Sequence, residues 1–154
     1  EDYDRDDDRL YSLAEAAERV AAAVEAARAL DFDFILTARA ENHIRANPDL
    51  EDTIARLQAY EAAGADVLYA PGLRNGEEVR AVCDAVGKPV NVLAHKGLSM
   101  AEITAAGGHR VSVGGALAWV AVSAFATAAQ RIRDDGDFTV LTGAPAELKD
   151  WLAR

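Results

Sequence analysis

Four short apolar runs begin near residues 33, 66, 89 and 110, and each leads into a stretch of helix formers. That alternation constrains the chain more than any single motif. Strands separated by whole helices pair in parallel through right-handed crossovers, which makes an α/β protein. The expected strands are 33–38, 66–70, 89–94 and 110–113, with a long helix near 116–134. Four such units suit a small open sheet or half of an eight-stranded barrel. At 154 residues the chain is too short for the whole barrel.

The punctuation agrees. Ser12-Leu-Ala-Glu15 and Ser99-Met-Ala-Glu102 are capping boxes, so helices should open at about 13 and 100. The first runs to about 30. Asp49 caps a helix with Leu50, Ile54 and Leu57 on its apolar stripe, and Gly64 ends it. A further helix spans about 75–86, with Val79, Val82, Cys83 and Val86 at helical spacing. Pro145 starts a last short helix through Leu148, Trp151 and Leu152. Residues 1–9, EDYDRDDDR, are too charged to pack and read as a loop. A single domain over 1–154 is expected, without a linker.

Charge excludes some partners. A formal net charge of −10 argues against nucleic acid and anionic membranes. No apolar run reaches the length of a membrane span, and no signal peptide is visible. One cysteine, Cys83, precludes an internal disulfide, and a reducing cytoplasm is the default. Cys83 falls on an apolar stripe and reads as core. The chain begins with Glu1 rather than Met, so a fragment, a processed chain or a partial record is expected.

The candidate chemistry gathers after the first strand. In Phe34-Ile-Leu-Thr-Ala-Arg-Ala-Glu41 the apolar run turns directly into charge. Thr37, Arg39 and Glu41 alternate onto one face. In parallel sheets the C-terminal edge of the strands is where ligands bind. Arg39 offers a fork for carboxylate or phosphate, and Glu41 would orient it. A salt bridge between the two is the plainer reading. Asn91, inside a strand of Val and Leu, either serves a ligand or ties two strands together. Ser112 carries the same ambiguity. His43 and His95 occupy loops after strands, and His109 precedes one. Gly114-Gly115 resembles a phosphate cradle without the pattern around it. Asp4–Asp8 reads as solvated charge.

The runs LTARAEN, DLEDTIARLQAYEAAGADVLYAPGL, GKPVNVLA and HRVSVGGALAW together resemble the isocitrate lyase/phosphoenolpyruvate mutase superfamily, most closely its phosphonomutase-like members. The resemblance covers Glu1 to about Phe138. It implies the C-terminal half of a TIM-type (β/α)8 barrel, whose last helix is exchanged between subunits of a homo-dimer or homo-tetramer. It also implies Mg2+ and a small α-keto or α-hydroxy carboxylate, with C–C or P–C bonds made or broken through an enolate-like intermediate. By the same resemblance, Arg39 holds substrate oxygens and Glu41 keeps the family's acid. Asn91 lies near substrate contacts, and Glu1 holds the metal through water. The family's direct metal aspartates lie on strands this chain does not include. The family's cysteine-bearing lyase loop is replaced by DYDRDDDRLYSL, and the strand-six histidine of mutases and hydrolases by YAPG. Both departures weigh against those reactions. Two other readings stand beside the enzyme. One is an inactive half-barrel or interaction remnant that needs a partner chain, and the other is a flavodoxin-like binding module.

Overall fold

The computed structural model describes all residues except 46, 144, 146, 147, 149, 150, 152 and 154. The chain divides into two compact units, Glu1–Val113 and Gly114–Arg154.

The first unit opens with a small antiparallel hairpin of β1 (Tyr3–Asp4) and β2 (Arg9–Leu10). This corrects the loop expected over 1–9. Charge alone suggested solvent, but Tyr3 and Leu10 give the ribbon a half-buried pair, and Asp2 just before it is buried. Next comes α1 (Leu13–Arg28), where Ser12 and Glu15 form the expected capping box.

The main sheet has the order β3-β4-β5-β6, parallel throughout. Its strands are β3 (Thr37–Arg39), β4 (Val67–Tyr69), β5 (Val90–Leu93) and β6 (Arg110–Ser112). Between them lie α2 (Leu50–Ala62), α3 (Gly76–Ala85) and α4 (Met100–Ala105). Asp49 and Asn75 cap α2 and α3 by accepting two backbone N–H bonds each. Ser99 and Glu102 close the second capping box.

The first strand starts later than the sequence suggests. Phe34 and Ile35 are exposed, and pairing begins only at Leu36. A strand needs a partner along its length, and β4 supplies none opposite residues 33–35. Instead Asp66 accepts the Leu36 N–H at 2.8 Å, and Leu36 C=O accepts from Asp66 and Val67. Arg28 closes the join, donating to Asp66 at 2.6 Å and to the Phe34 carbonyl at 3.2 Å.

Alternation along these strands separates two faces. Ala38, Leu68, Val90 and Val92 are buried against Leu57, Tyr60, Val79, Val82 and Ile103 of the helices. Cys83 packs against the same core, and burial pushes its thiol pKa up. The other face carries Thr37, Arg39, Tyr69, Asn91, Arg110 and Ser112. The registers Arg39↔Tyr69, Tyr69↔Asn91 and Asn91↔Arg110 place those four residues in one row across the sheet. After β4, Gly72 takes φ 97°, and a Cβ there would meet Ile44 Cγ2 at 2.9 Å. The tight turn therefore requires glycine.

The second unit is led by α5 (Ala116–Asp135), which ends on Gly136 in the left-handed conformation. No residue of α5 is buried, and Leu117, Trp119, Val120 and Phe125 are exposed. Asp137 caps the short 3-10 turn at Phe138–Val140 and pairs with Arg131. The helix expected from Pro145 through Leu152 lies largely outside the described residues.

Candidate functional site

Arg39 ends β3, so its side chain stands at the C-terminal edge of the sheet, on the face away from the helices. Its guanidinium lies 5.3 Å from the centre of the Tyr69 ring, its neighbour in the row. That distance suits a cation–π contact. Glu41, two residues on, is fully buried beyond the end of the strand. Its carboxylate pairs with Arg39 Nη2 on one side and with Arg45 Nε, at 2.8 Å, on the other. A buried carboxylate between two cations orients both. The salt bridge between Arg39 and Glu41, the plainer of the two sequence readings, is formed. Among the described residues Arg39 Nε has no hydrogen-bond partner.

Glu1 reaches the same place from β1's side. Its Oε2 lies 4.0 Å from Arg39 Nε, while Oε1 accepts from Arg5 at 2.6 Å. The Arg5 hydrogen bond, with help from the charges of Arg5 and Arg39, holds the Glu1 carboxyl below the usual carboxylate range.

Asn91 is 1% exposed. Its Nδ2 donates to Ser112 Oγ at 3.1 Å, so it does tie β5 to β6. Its Oδ1 is buried without a partner among the described residues. Asn91 therefore keeps a free acceptor on the row that begins at Arg39. Arg110 leans back over this face, with Nη1 3.5 Å from Thr37 Oγ1.

The site has a support that sequence reasoning missed. Asp2 is 2% exposed. Its Oδ1 accepts the backbone N–H of Glu41 at 2.8 Å, and its Oδ2 accepts from Arg56 Nη1 at 3.0 Å and from the Tyr60 hydroxyl at 2.5 Å. Arg56 also bonds Asp52 and the Tyr11 carbonyl. Burial, then the Asp2 hydrogen bond, pushes the Tyr60 phenol well above its ordinary pKa. An arginine and a tyrosine four apart on α2, both buried, were the available sequence signal for an acidic partner.

The histidines have separate partners. His43 is half-buried, its Nδ1 2.8 Å from Thr53 Oγ1. His95 is exposed and accepts the Gly97 N–H at 3.0 Å. Burial lowers the His43 pKa. The unfolded chain therefore takes up that proton first, near its ordinary value of about 6.5. Stability from this group should be full above that pH and should fall as pH drops toward 5. Thermal unfolding across pH 7.5 to 5 checks this, with His43→Gln flattening the decline. Superimposable profiles for the two proteins would rule it out. Carboxylates with lowered pKa, such as Glu78 and Asp66, lose their contribution only at more acidic pH.

Among the described residues no three His, Cys, Asp or Glu side chains converge as a metal site. Glu1, the inferred water-mediated ligand, faces two guanidiniums instead. The described residues do not assemble a magnesium site by themselves.

Residues 1–133 match the phosphoenolpyruvate phosphomutase family. The chain belongs to the phosphoenolpyruvate mutase/isocitrate lyase superfamily. A structure from Burkholderia cenocepacia J2315, provisionally assigned as a lyase/mutase, is 50% identical with a TM-score of 0.89, covering 99% of this chain and 57% of its own. Oxaloacetate acetylhydrolase in complex with the product oxalate is 29% identical with a TM-score of 0.77, covering 92% of this chain and 51% of its own. An oxaloacetate decarboxylase from Paraburkholderia xenovorans (strain LB400) is 41% identical over 81 residues, which are 53% of this chain and 26% of that protein.

The superfamily member described by these residues spans about half the length of the solved relatives. Its parallel four-stranded sheet corresponds to about half of their TIM barrel. This settles the choice between an open sheet and a barrel half. The polar row beginning at Arg39 lies on the sheet face opposite the one that packs on α2, α3 and α4.

Proposed function

We propose that this chain is the C-terminal barrel half of a lyase or mutase-like enzyme acting on a small α-keto or α-hydroxy carboxylate. The observation that carries the reading is Arg39. It is a guanidinium at a strand's C-terminal edge, held by the buried Glu41, and among the described residues its Nε makes no hydrogen bond. Such a fork takes two carboxylate oxygens. Its fixed charge also favours an oxyanion that develops during C–C or P–C cleavage, since the donor needs no reorganisation. Glu41 orients Arg39. Asn91 offers its free Oδ1 further along the row to a donor on the substrate. Glu1 contributes negative charge beside Arg39. Magnesium is part of the family resemblance, and its direct ligands would lie in the length of the relatives that this chain does not span.

Calorimetric titration of the native protein with oxalate tests the reading, with and without magnesium chloride. Saturable binding that depends on Arg39 is expected. No binding in either condition rejects it and favours the second reading, an inactive barrel half.

Helix α5 supports an oligomer. Its exposed Leu117, Trp119, Val120 and Phe125 do not leave one face polar, as a helix covered on one side would. A homo-dimer or homo-tetramer that exchanges this helix would cover them. Light scattering should give a dimer or tetramer mass for the native protein, and a monomer mass would overturn this part.

A further inference from the structure

We propose that Asp2 is a positioning residue that sets where Arg39 stands, by pinning the Glu41 backbone to α2. The proposal rests on the reading of Arg39 as the carboxylate clamp.

The geometry runs through four residues. Asp2 Oδ1 accepts the Glu41 N–H, and Oδ2 accepts from Arg56 and Tyr60. Asp2, Arg56 and Tyr60 are buried, and Arg56 is fixed further by Asp52 and the Tyr11 carbonyl. The carboxylate thus bridges a rigid helix to the peptide that carries Glu41. Glu41 in turn is 0% exposed and grips Arg39. Residues just past a strand end lack ladder hydrogen bonds, so an external acceptor must fix them. Asp2 is that acceptor. It also follows directly on Glu1, the second charge beside Arg39.

Only a carboxylate of this size accepts on both oxygens. Asparagine has one acceptor. In Asp2→Asn the oxygen must choose between the Arg56 cation and the Glu41 N–H, and the charge-assisted bond is the stronger. The amide NH2 would then face the Glu41 N–H and push it away. Tyr60→Phe is the opposite case. It removes a bond from Oδ2 and leaves the Glu41 tie in place.

The test compares wild type, Asp2→Asn and Tyr60→Phe in the native protein. Three readings are taken: thermal stability, the NMR signal of Arg39 Nε–H, and oxalate affinity. Both variants should lose stability. Asp2→Asn should also shift or broaden the Arg39 signal and weaken oxalate by about ten-fold, or 1.4 kcal/mol. Tyr60→Phe should leave both within two-fold, or within line width, of wild type. An Arg39 signal unmoved in folded Asp2→Asn overturns the proposal. If Asp2→Asn does not fold, the Glu41 amide of wild type decides. Slow hydrogen exchange supports the tie, and exchange at the rate of a free loop rejects it. Should wild type bind no oxalate while Asp2→Asn still moves the Arg39 signal, the clamp reading fails and the positioning role stands.

Discussion

Arg56→Leu is expected to destabilise the fold by about 3–5 kcal/mol, the usual loss when one partner of a buried ion pair is removed. Arg56 is 6% exposed, and its removal strands the Asp2 carboxylate, itself 2% exposed. The Tyr60 hydroxyl and the Glu41 N–H would remain, but neither carries charge. The loss should appear as a lower urea midpoint with an unchanged slope. Asp2→Leu combined with Arg56→Leu should recover part of the stability, since no buried charge is then left alone. Recovery should stay incomplete because the Glu41 N–H keeps no acceptor. A midpoint within experimental error of wild type for Arg56→Leu would mean that water reaches Asp2 and the pair is not buried in solution.

Arg39→Lys is expected to lower oxalate affinity by about 10- to 100-fold, or roughly 1.4–2.8 kcal/mol. Lysine keeps the charge that Glu41 needs, so the fold should hold. It loses the planar fork, which is what grips two oxygens at once. Arg39→Met would be a poorer test, because it leaves Glu41, 0% exposed, with Arg45 as its partner and so mixes stability with binding. Oxalate affinity equal to wild type in folded Arg39→Lys would remove Arg39 from the binding site.

Much of the fold could be read from local signals because local chemistry decides it. Ser12 with Glu15, Asp49, and Ser99 with Glu102 each satisfy backbone donors within three residues. Helix starts could therefore be placed without tertiary knowledge. The Arg39–Glu41 ion pair was legible for a similar reason, since charge following directly on an apolar run is anomalous. The start of β3 was not legible. Phe34 and Ile35 have β-forming character, but a strand is defined by its neighbour, and β4 begins pairing only opposite Leu36. The hairpin and Asp2 were missed because EDYDRDDDR looks like solvated charge. What buries Asp2 is an arginine 54 positions away, which no local pattern contains. Asn91 was open in the sequence between ligand and strand tie. The bond to Ser112 establishes the tie, and the unpaired Oδ1 leaves a ligand contact as a proposal.

The Asp2 ties also carry a kinetic consequence. They join residues 39, 54 and 58 positions apart. Helices with local caps can form early, whereas loops of this span must close before their contacts are gained. The Arg39 clamp should therefore be among the last features of the first unit to take shape during refolding. A ribosome-bound chain would hold Arg39 in place only after α2 has emerged. Ligand capture would then report that α2 is in place, and a nascent chain halted before Tyr60 would have no grip on a carboxylate.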